Sequence, residues 1–144
     1  MVEVVMLHAI TIFTDGGARG NPGPAGSGAI IYDGKNVLAE ISEFLGHQTN
    51  NFAEYEALVL ALEATRDALG TPVKNVVTVK MDSELIVKQM KGEYKVKNPT
   101  LKEKHTKVKK ILFESFPHIS FVHVRREQNK EADRLANEAM DRGN

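Results

Sequence analysis

The hydrophobic pattern changes period partway along the chain, and that change limits the available folds more than any other feature. His8–Thr14 (HAITIFT) and Ser27–Asp33 (SGAIIYD) are short β-rich runs, and Asn36–Phe44 alternates apolar with polar residues. These are strand signatures. Phe52–Leu69 is dense in Ala, Leu and Glu with no Gly or Pro. It reads as a helix that is apolar on most sides and therefore well buried. Three strands followed by a buried helix need a layered arrangement in which the helix covers a sheet.

The rest of the chain extends that plan. A Gly/Pro loop separates the first two strands, and Asp33-Gly34 is a hairpin turn signal that makes the third strand antiparallel. Gly70-Thr71-Pro72 stops the long helix, Val76–Met81 is a fourth strand, and Glu84–Met90 is a short helix. Pro99-Thr100 opens another helix with a Thr100/Glu103 capping box. Ile119–Arg125 alternates as a fifth strand, and about Lys130–Met140 is an amphipathic last helix. The order βββαβααβα predicts an α/β fold: a five-stranded mixed sheet with helices on both faces. The chain of 144 residues has no repeat or linker-like run, so one domain is expected over 1–144, with 1–8 an N-terminal extension and 141–144 a tail.

Several function classes fall away. There is no cysteine, which excludes disulfides, thiol catalysis and cysteine zinc sites. No apolar stretch approaches the ~18 residues of a membrane span. Met1–Ile10 carries Glu3 and lacks a basic leader and a cleavage signal. A cytoplasmic monomer with no membrane partner is expected. Net charge is zero, but Lys88–Lys110 holds nine lysines against Glu93 and Glu103, so this segment is +7 and the rest −7. Such segregation suggests one anion-facing surface, with a solvated helix face as the plainer explanation.

Four acids stand at element ends: Asp15 after the first strand, Glu54 in the first turn of the long helix, Asp82 after the fourth strand and Asp133 in the first turn of the last helix. Each also has a local explanation. Asp15 suits a turn before Gly16-Gly17, Glu54 a capping box on Asn51, Asp82 a helix cap, and Asp133 a favourable place in the helix dipole. Together they suggest more, because ligands of open α/β sheets gather beyond the carboxyl ends of the strands. If the long helix is a crossover, the first and fourth strands are adjacent and parallel, and Asp15 meets Asp82. Two carboxylates about 4 Å apart repel by roughly 4 kcal/mol at an effective dielectric near 20. A cluster of four therefore calls for cations, and oxygen-only donors favour Mg²⁺ or Mn²⁺ over Zn²⁺. Two such ions about 3.5–4 Å apart clamp an in-line displacement at phosphorus.

Four motifs then carry a family resemblance: TDGGARGNPGPAGSG at 14–28, TNNFAEYEAL at 49–58, MDSELIVKQM at 81–90 and REQNKEADRLANEA at 126–139. With these in order, the chain closely resembles ribonuclease HI from about residue 9 to residue 140. The resemblance implies a ribonuclease H-like fold and endonucleolytic hydrolysis of the RNA strand of an RNA–DNA hybrid, leaving 5′-phosphate and 3′-hydroxyl ends. It implies that Asp15, Glu54, Asp82 and Asp133 hold two Mg²⁺ ions, with Mn²⁺ a possible substitute. Asp15 would bridge both ions, Asp133 would serve the ion at the attacking water, and Glu54 with Asp82 the ion at the leaving oxygen. Asn21, Asn50 and Asn51 match positions that touch the minor groove, where the 2′-hydroxyl distinguishes RNA from DNA. Thr49 matches a contact to a DNA-strand phosphate.

The residues themselves agree with that picture. Gly16, Gly17 and Gly20 let backbone approach a bulky substrate, and Pro22 and Pro24 stiffen the loop. A strand follows the loop and no Gly-Lys-Ser/Thr appears, so it is no dinucleotide or P-loop cradle. The Lys88–Lys110 segment is expected to stand in for the family's tryptophan-bearing basic protrusion, since the chain has no Trp, with Lys88, Lys91, Lys95 and Lys97 expected to meet the DNA strand. The family's loop histidine is also missing from the short link Arg125–Asn129. His123 lies ten residues before Asp133, but alternation puts it inside the fifth strand as a packing residue. A separate hybrid-binding module has no room, and the chain's ends speak against a reverse transcriptase fragment. Two rivals are a catalytically inactive hybrid-binding module and another nuclease of the same superfold. The four carboxylates oppose the first, and the glycine and Asn-Asn motifs the second.

Overall fold

The computed structural model describes residues 7–144. Residues 1–6 of the expected extension, and with them most of the segment read for a leader, lie outside the described residues. The chain runs β1 (Ile10–Ala18), β2 (Gly23–Asp33), β3 (Asn36–Gln48), α1 (Asn50–Leu69), β4 (Val77–Met81), α2 (Glu84–Met90), α3 (Pro99–Ser115), β5 (Ile119–His123) and α4 (Lys130–Arg142). A single 3-10 turn, Arg126–Gln128, links β5 to α4. This is the order the hydrophobic periods predict. The five strands form one sheet ordered β3-β2-β1-β4-β5. β1, β2 and β3 are antiparallel neighbours, whereas β4 runs parallel to β1 and β5 parallel to β4.

Helices cover both faces, and glycines set how closely. A Cβ on Gly16 would meet the backbone carbon of Ala53 at 2.3 Å, and Ser27 Oγ donates to the Ala53 carbonyl at 2.7 Å. That face carries α1. A Cβ on Gly28 would lie 2.3 Å from the Ala132 carbonyl oxygen, and one on Gly26 2.7 Å from that of Ala136. The opposite face carries α4. Gly16 pairs with Ser27, and Asp15 with Gly28, so the two faces alternate along β1 as the pleat requires. The apolar cluster includes Ile10, Ile12 and Ile31 from the sheet and Leu58, Val59 and Leu62 from α1, all fully buried. Each such side chain contributes about 1.5–3 kcal/mol. α3 packs on α1, and α2 lies against β5.

Several boundaries differ from the sequence reading. β1 continues past Thr14 because β2 keeps pairing with it, from Asp15↔Gly28 to Ala18↔Ala25. The glycine stretch read as a loop open to substrate is therefore largely paired strand, and Gly16, Gly26 and Gly28 admit helices. α1 begins at Asn50, capped by Thr49, whose Oγ1 accepts from Phe52 N at 3.2 Å. Glu54 thus sits in the second turn and closes no capping box on Asn51. α3 is capped by Asn98, whose Oδ1 accepts from Thr100 N at 2.9 Å and Leu101 N at 3.2 Å. The Thr100/Glu103 box does not form, because Pro99 has no N–H to satisfy and takes the first helical position. Ser83, not Asp82, caps α2. β5 stops at His123, two residues before the expected Arg125. α4 extends to Arg142, which donates from Nη2 to the Ser42 carbonyl at 2.8 Å, so 141–142 are helix rather than tail. Among the described residues, no helix is long and apolar enough to cross a membrane.

Candidate active site

The parallel pair at the centre of the sheet positions the site. Pairing of β1 with β4 ends at Thr14↔Met81, so Asp15, inside β1 and not after it as expected, and Asp82, just beyond β4, are the next residues along the two parallel strands, where that pairing stops. α1 brings Glu54 over that edge from one face, and α4 brings Asp133 from the other. Carboxylate oxygens of Asp15, Glu54 and Asp82 lie within 4.8 Å of one another. Asp133 stands beside Asp15, close enough to share a hydrogen bond when one of the two is protonated. All four acids line one cleft of about 770 Å³.

Neighbouring polar groups hold the acids in place. Asp15 Oδ1 accepts from Gly16 N at 2.9 Å. Buried Asn129, at the start of α4, donates from Nδ2 to the Thr14 carbonyl at 2.9 Å and also reaches Asp82. This ties Asp133's helix to the strand that carries Asp15. Ser83 caps α2 by accepting from Ile86 N at 3.3 Å, and its side chain stands near Glu54, where it favours the carboxylate.

Crowding makes the cluster hard to ionise. Burial first, then the charge of Asp82 and the bond shared with Asp133, push Asp15 up to about 8, against the Gly16 N–H. Burial and then Asp82 push Glu54 up to about 7, partly offset by Ser83. Asp82 is also raised, mainly by burial, while Asn129 and Arg126 oppose the rise. A carboxylate cluster that resists full ionisation at neutral pH lacks positive charge. Its donors are all hard oxygens, the set that suits a divalent cation of the Mg²⁺ kind. The residues present fit a metal ion.

The other expected site residues divide into those the fold brings to the cleft and those it does not. Gly16, Gly17, Asn50 and Asn51 line it. Asn50 Oδ1 accepts from Ala18 N at 2.7 Å, and Asn21 Oδ1 accepts from Asn50 N at 3.0 Å. These two amides brace the β1–β2 turn against the start of α1. A neighbouring groove of about 340 Å³ is lined by Asn21, Thr49, Asn51, Asn98 and Thr100, where the N-termini of α1 and α3 converge. Lys88, Lys91, Lys95 and Lys97 do not line the cleft. Lys88 is committed locally, 2.8 Å from Glu84 Oε1 and over the Tyr94 ring at 4.9 Å. Lys91, Lys95 and Lys97 are exposed. Lys104, also from the basic segment, pairs with Glu56 and lies 4.7 Å from the Phe52 ring centroid, clamping α3 to α1.

Nine residues that line the cleft were not read from the sequence as members of the site, among them the polar or charged Arg19, His123, Arg125, Arg126 and Asn137. The packing role expected for His123 is overturned. Alternation is right as far as Phe121, which is buried, but β5 is the sheet's edge and ends at His123, whose ring is exposed at the cleft. The charged pair Arg125-Arg126, expected to end the strand, was the signal available for an earlier stop.

The chain matches the family described as reverse transcriptase-like over residues 13–139. It is 44% identical over 134 residues to a bifunctional protein of Mycobacterium tuberculosis, covering 92% of this chain and 35% of that protein. It is 39% identical over 130 residues to ribonuclease HI of Halobacterium salinarum, covering 90% of this chain and 63% of that one. The chain thus spans about a third of the mycobacterial relative and under two thirds of the archaeal one. Among solved structures it is similar to LC11-RNase H1 in complex with an RNA/DNA hybrid, with a TM-score of 0.88 and 55% identity over 92% of this chain and 97% of that one.

Proposed function

The chain belongs to the ribonuclease H family, and on that premise we propose that it is an endonuclease that hydrolyses the RNA strand of RNA–DNA hybrids, acting as a cytoplasmic monomer and leaving 5′-phosphate and 3′-hydroxyl ends. The observation that carries this reading is the convergence of Asp15, Glu54, Asp82 and Asp133 in one cleft beside a turn braced by asparagines. A relative of like fold, LC11-RNase H1, has been crystallised with such a hybrid.

In this reading the four acids hold two Mg²⁺ ions, with Mn²⁺ as a substitute. When bound, such a pair offsets charge on the scissile phosphate and makes water a stronger nucleophile at neutral pH. Asp15 has a carboxylate oxygen within 4.8 Å of those of Glu54 and Asp82, and Asp133 stands beside it on α4. Gly16, Gly17, Asn50 and Asn51 present backbone and amide groups at the cleft wall, suited to a shallow minor groove and its 2′-hydroxyls. Asn21 holds Asn50 and borders the neighbouring groove. Thr49, Asn98 and Thr100, at two helix N-termini, suit a phosphate of the DNA strand. Lys91, Lys95 and Lys97 then add sequence-independent affinity for that strand, with Lys88 contributing through its tie to Glu84 and Tyr94.

The test is cleavage of end-labelled RNA–DNA hybrid, duplex DNA, duplex RNA and junction substrates, with and without Mg²⁺. RNA-strand cleavage of the hybrid that needs the cation and is lost in Asp15→Asn is expected. Hybrid binding without cleavage would make the chain an inactive binding module. Preference for duplex DNA or junctions would make it another nuclease of the superfold.

A further inference from the structure

Immediately after Glu54, α1 turns a tyrosine into the core. Tyr55 is fully buried, and its hydroxyl donates to Gln89 Oε1 on α2 at 2.5 Å. Gln89 is itself only 6% exposed. The backbone carbonyl of Gln89 lies 3.3 Å from His105 Nε2 on α3, and the His105 ring stands edge-on to Tyr55 with centroids 6.4 Å apart. Tyr55 shares the buried core with the apolar residues Leu58 of α1, Ile86, Val87 and Met90 of α2, and Val108 of α3.

Stability alone does not call for a polar pair in such a place. Apolar side chains of similar volume serve a core equally well, and a buried hydrogen bond adds geometric definition instead. Here the geometry that is defined concerns the cleft. α2 has seven residues, and its cap Ser83 directly follows Asp82, so a movement of α2 carries Asp82 with it. α2 is held at two points: at its near end by the chain itself, through Asp82 and β4, and at its far end by the hydrogen bond of Gln89 to Tyr55 on α1. Two points of attachment fix the orientation of a short helix, whereas one leaves it free to pivot.

We propose that Tyr55 is a positioning residue, whose hydrogen bond to Gln89 sets the separation of Glu54 from Asp82 and thereby the affinity of the cluster for a divalent cation. This inference rests on reading the acidic cluster as a cation site.

The test compares wild type, Tyr55→Phe and the double variant Tyr55→Phe/Gln89→Leu by calorimetric titration with Mn²⁺, with melting temperatures measured in parallel. Tyr55→Phe leaves the Gln89 oxygen buried without a donor, so its melting temperature should fall. Its Mn²⁺ Kd should weaken five- to tenfold. The double variant removes the orphaned oxygen and should regain stability, yet its Kd should stay weak because the tie is still absent. In hydrolysis assays the half-saturating metal concentration should rise while kcat at saturating metal stays within about twofold. Wild-type binding with an unchanged Kd in Tyr55→Phe, or a Kd that recovers together with stability in the double variant, would overturn the proposal. No binding to the wild type would remove the cation reading, and the proposal with it.

Discussion

Replacing Asp15 by Asn should stabilise the metal-free protein while removing an acid from the cluster. In the folded chain the Asp15 carboxyl is pushed up from 3.8 to about 8, by burial first and then by Asp82. Between about pH 4 and pH 8 the folded state therefore holds a proton that the unfolded state has lost, and stability falls as pH rises through that window. At pH 7 the mismatch has a ceiling of about 4 kcal/mol. The Coulomb estimate is of similar size, since charges about 5 Å apart at an effective dielectric near 20 repel by roughly 3 kcal/mol. Burying the replacement amide and local relaxation take back part of this, leaving a net gain of about 2 kcal/mol at pH 7. In a chain of this size that is about 6 °C in Tm. Asn keeps an acceptor for the Gly16 N–H, so the backbone there is not disturbed. The assay is thermal unfolding in EDTA from pH 4 to pH 8. The variant's advantage should open with rising pH and nearly vanish at pH 4. Added Mg²⁺ should narrow it by stabilising the wild type more. An advantage of equal size at pH 4.5 and 7.5, or a less stable variant at pH 7, would refute the reasoning.

The same acids make cation binding pH-dependent. Protons compete for Glu54, raised to about 7, and Asp15, raised to about 8, so the half-saturating Mg²⁺ concentration in a cleavage assay should fall steeply from pH 6 to pH 8.5. Changing Lys91, Lys95 and Lys97 together to Glu should raise KM and flatten its salt dependence, by up to about 0.9 in the log–log slope per lost phosphate contact, with kcat largely kept. An unchanged salt slope would make these lysines a solvated face. Gly28→Ala should lower Tm by several degrees, because the new Cβ would sit 2.3 Å from the Ala132 carbonyl oxygen and α4 would have to retreat. A melting curve that overlays the wild type would show that α4 does not pack as described.

Much of the fold and of the acidic cluster was legible in the sequence, because both rest on local patterns. The change from period two to period 3.6, the glycine and proline stops and the Asp33-Gly34 turn identify elements by rules that act over a few residues. Asp15, Glu54, Asp82 and Asp133 were found because the sequence reads each at a boundary between elements; Asp15 lies inside β1 and Glu54 in the second turn of α1, and the topology carries all four to one edge of the sheet.

What tertiary structure decided is whatever depends on partners distant along the chain. Nothing between Thr14 and Gly28 announces that Gly16 yields to Ala53 while Gly28 yields to Ala132; the neighbours that forbid a Cβ lie some 37 and 104 residues away. The exposure of His123 follows from β5 being the sheet's edge, and strand order is not contained in strand alternation. Lys88 and Lys91 look alike in sequence, yet one is tied to Glu84 and Tyr94 and the other is exposed. The raised titration of Asp15 and Glu54 likewise belongs to the assembled edge. Burial and mutual repulsion arise only when four segments of chain enclose the same small volume, and pattern along one segment carries no measure of that enclosure.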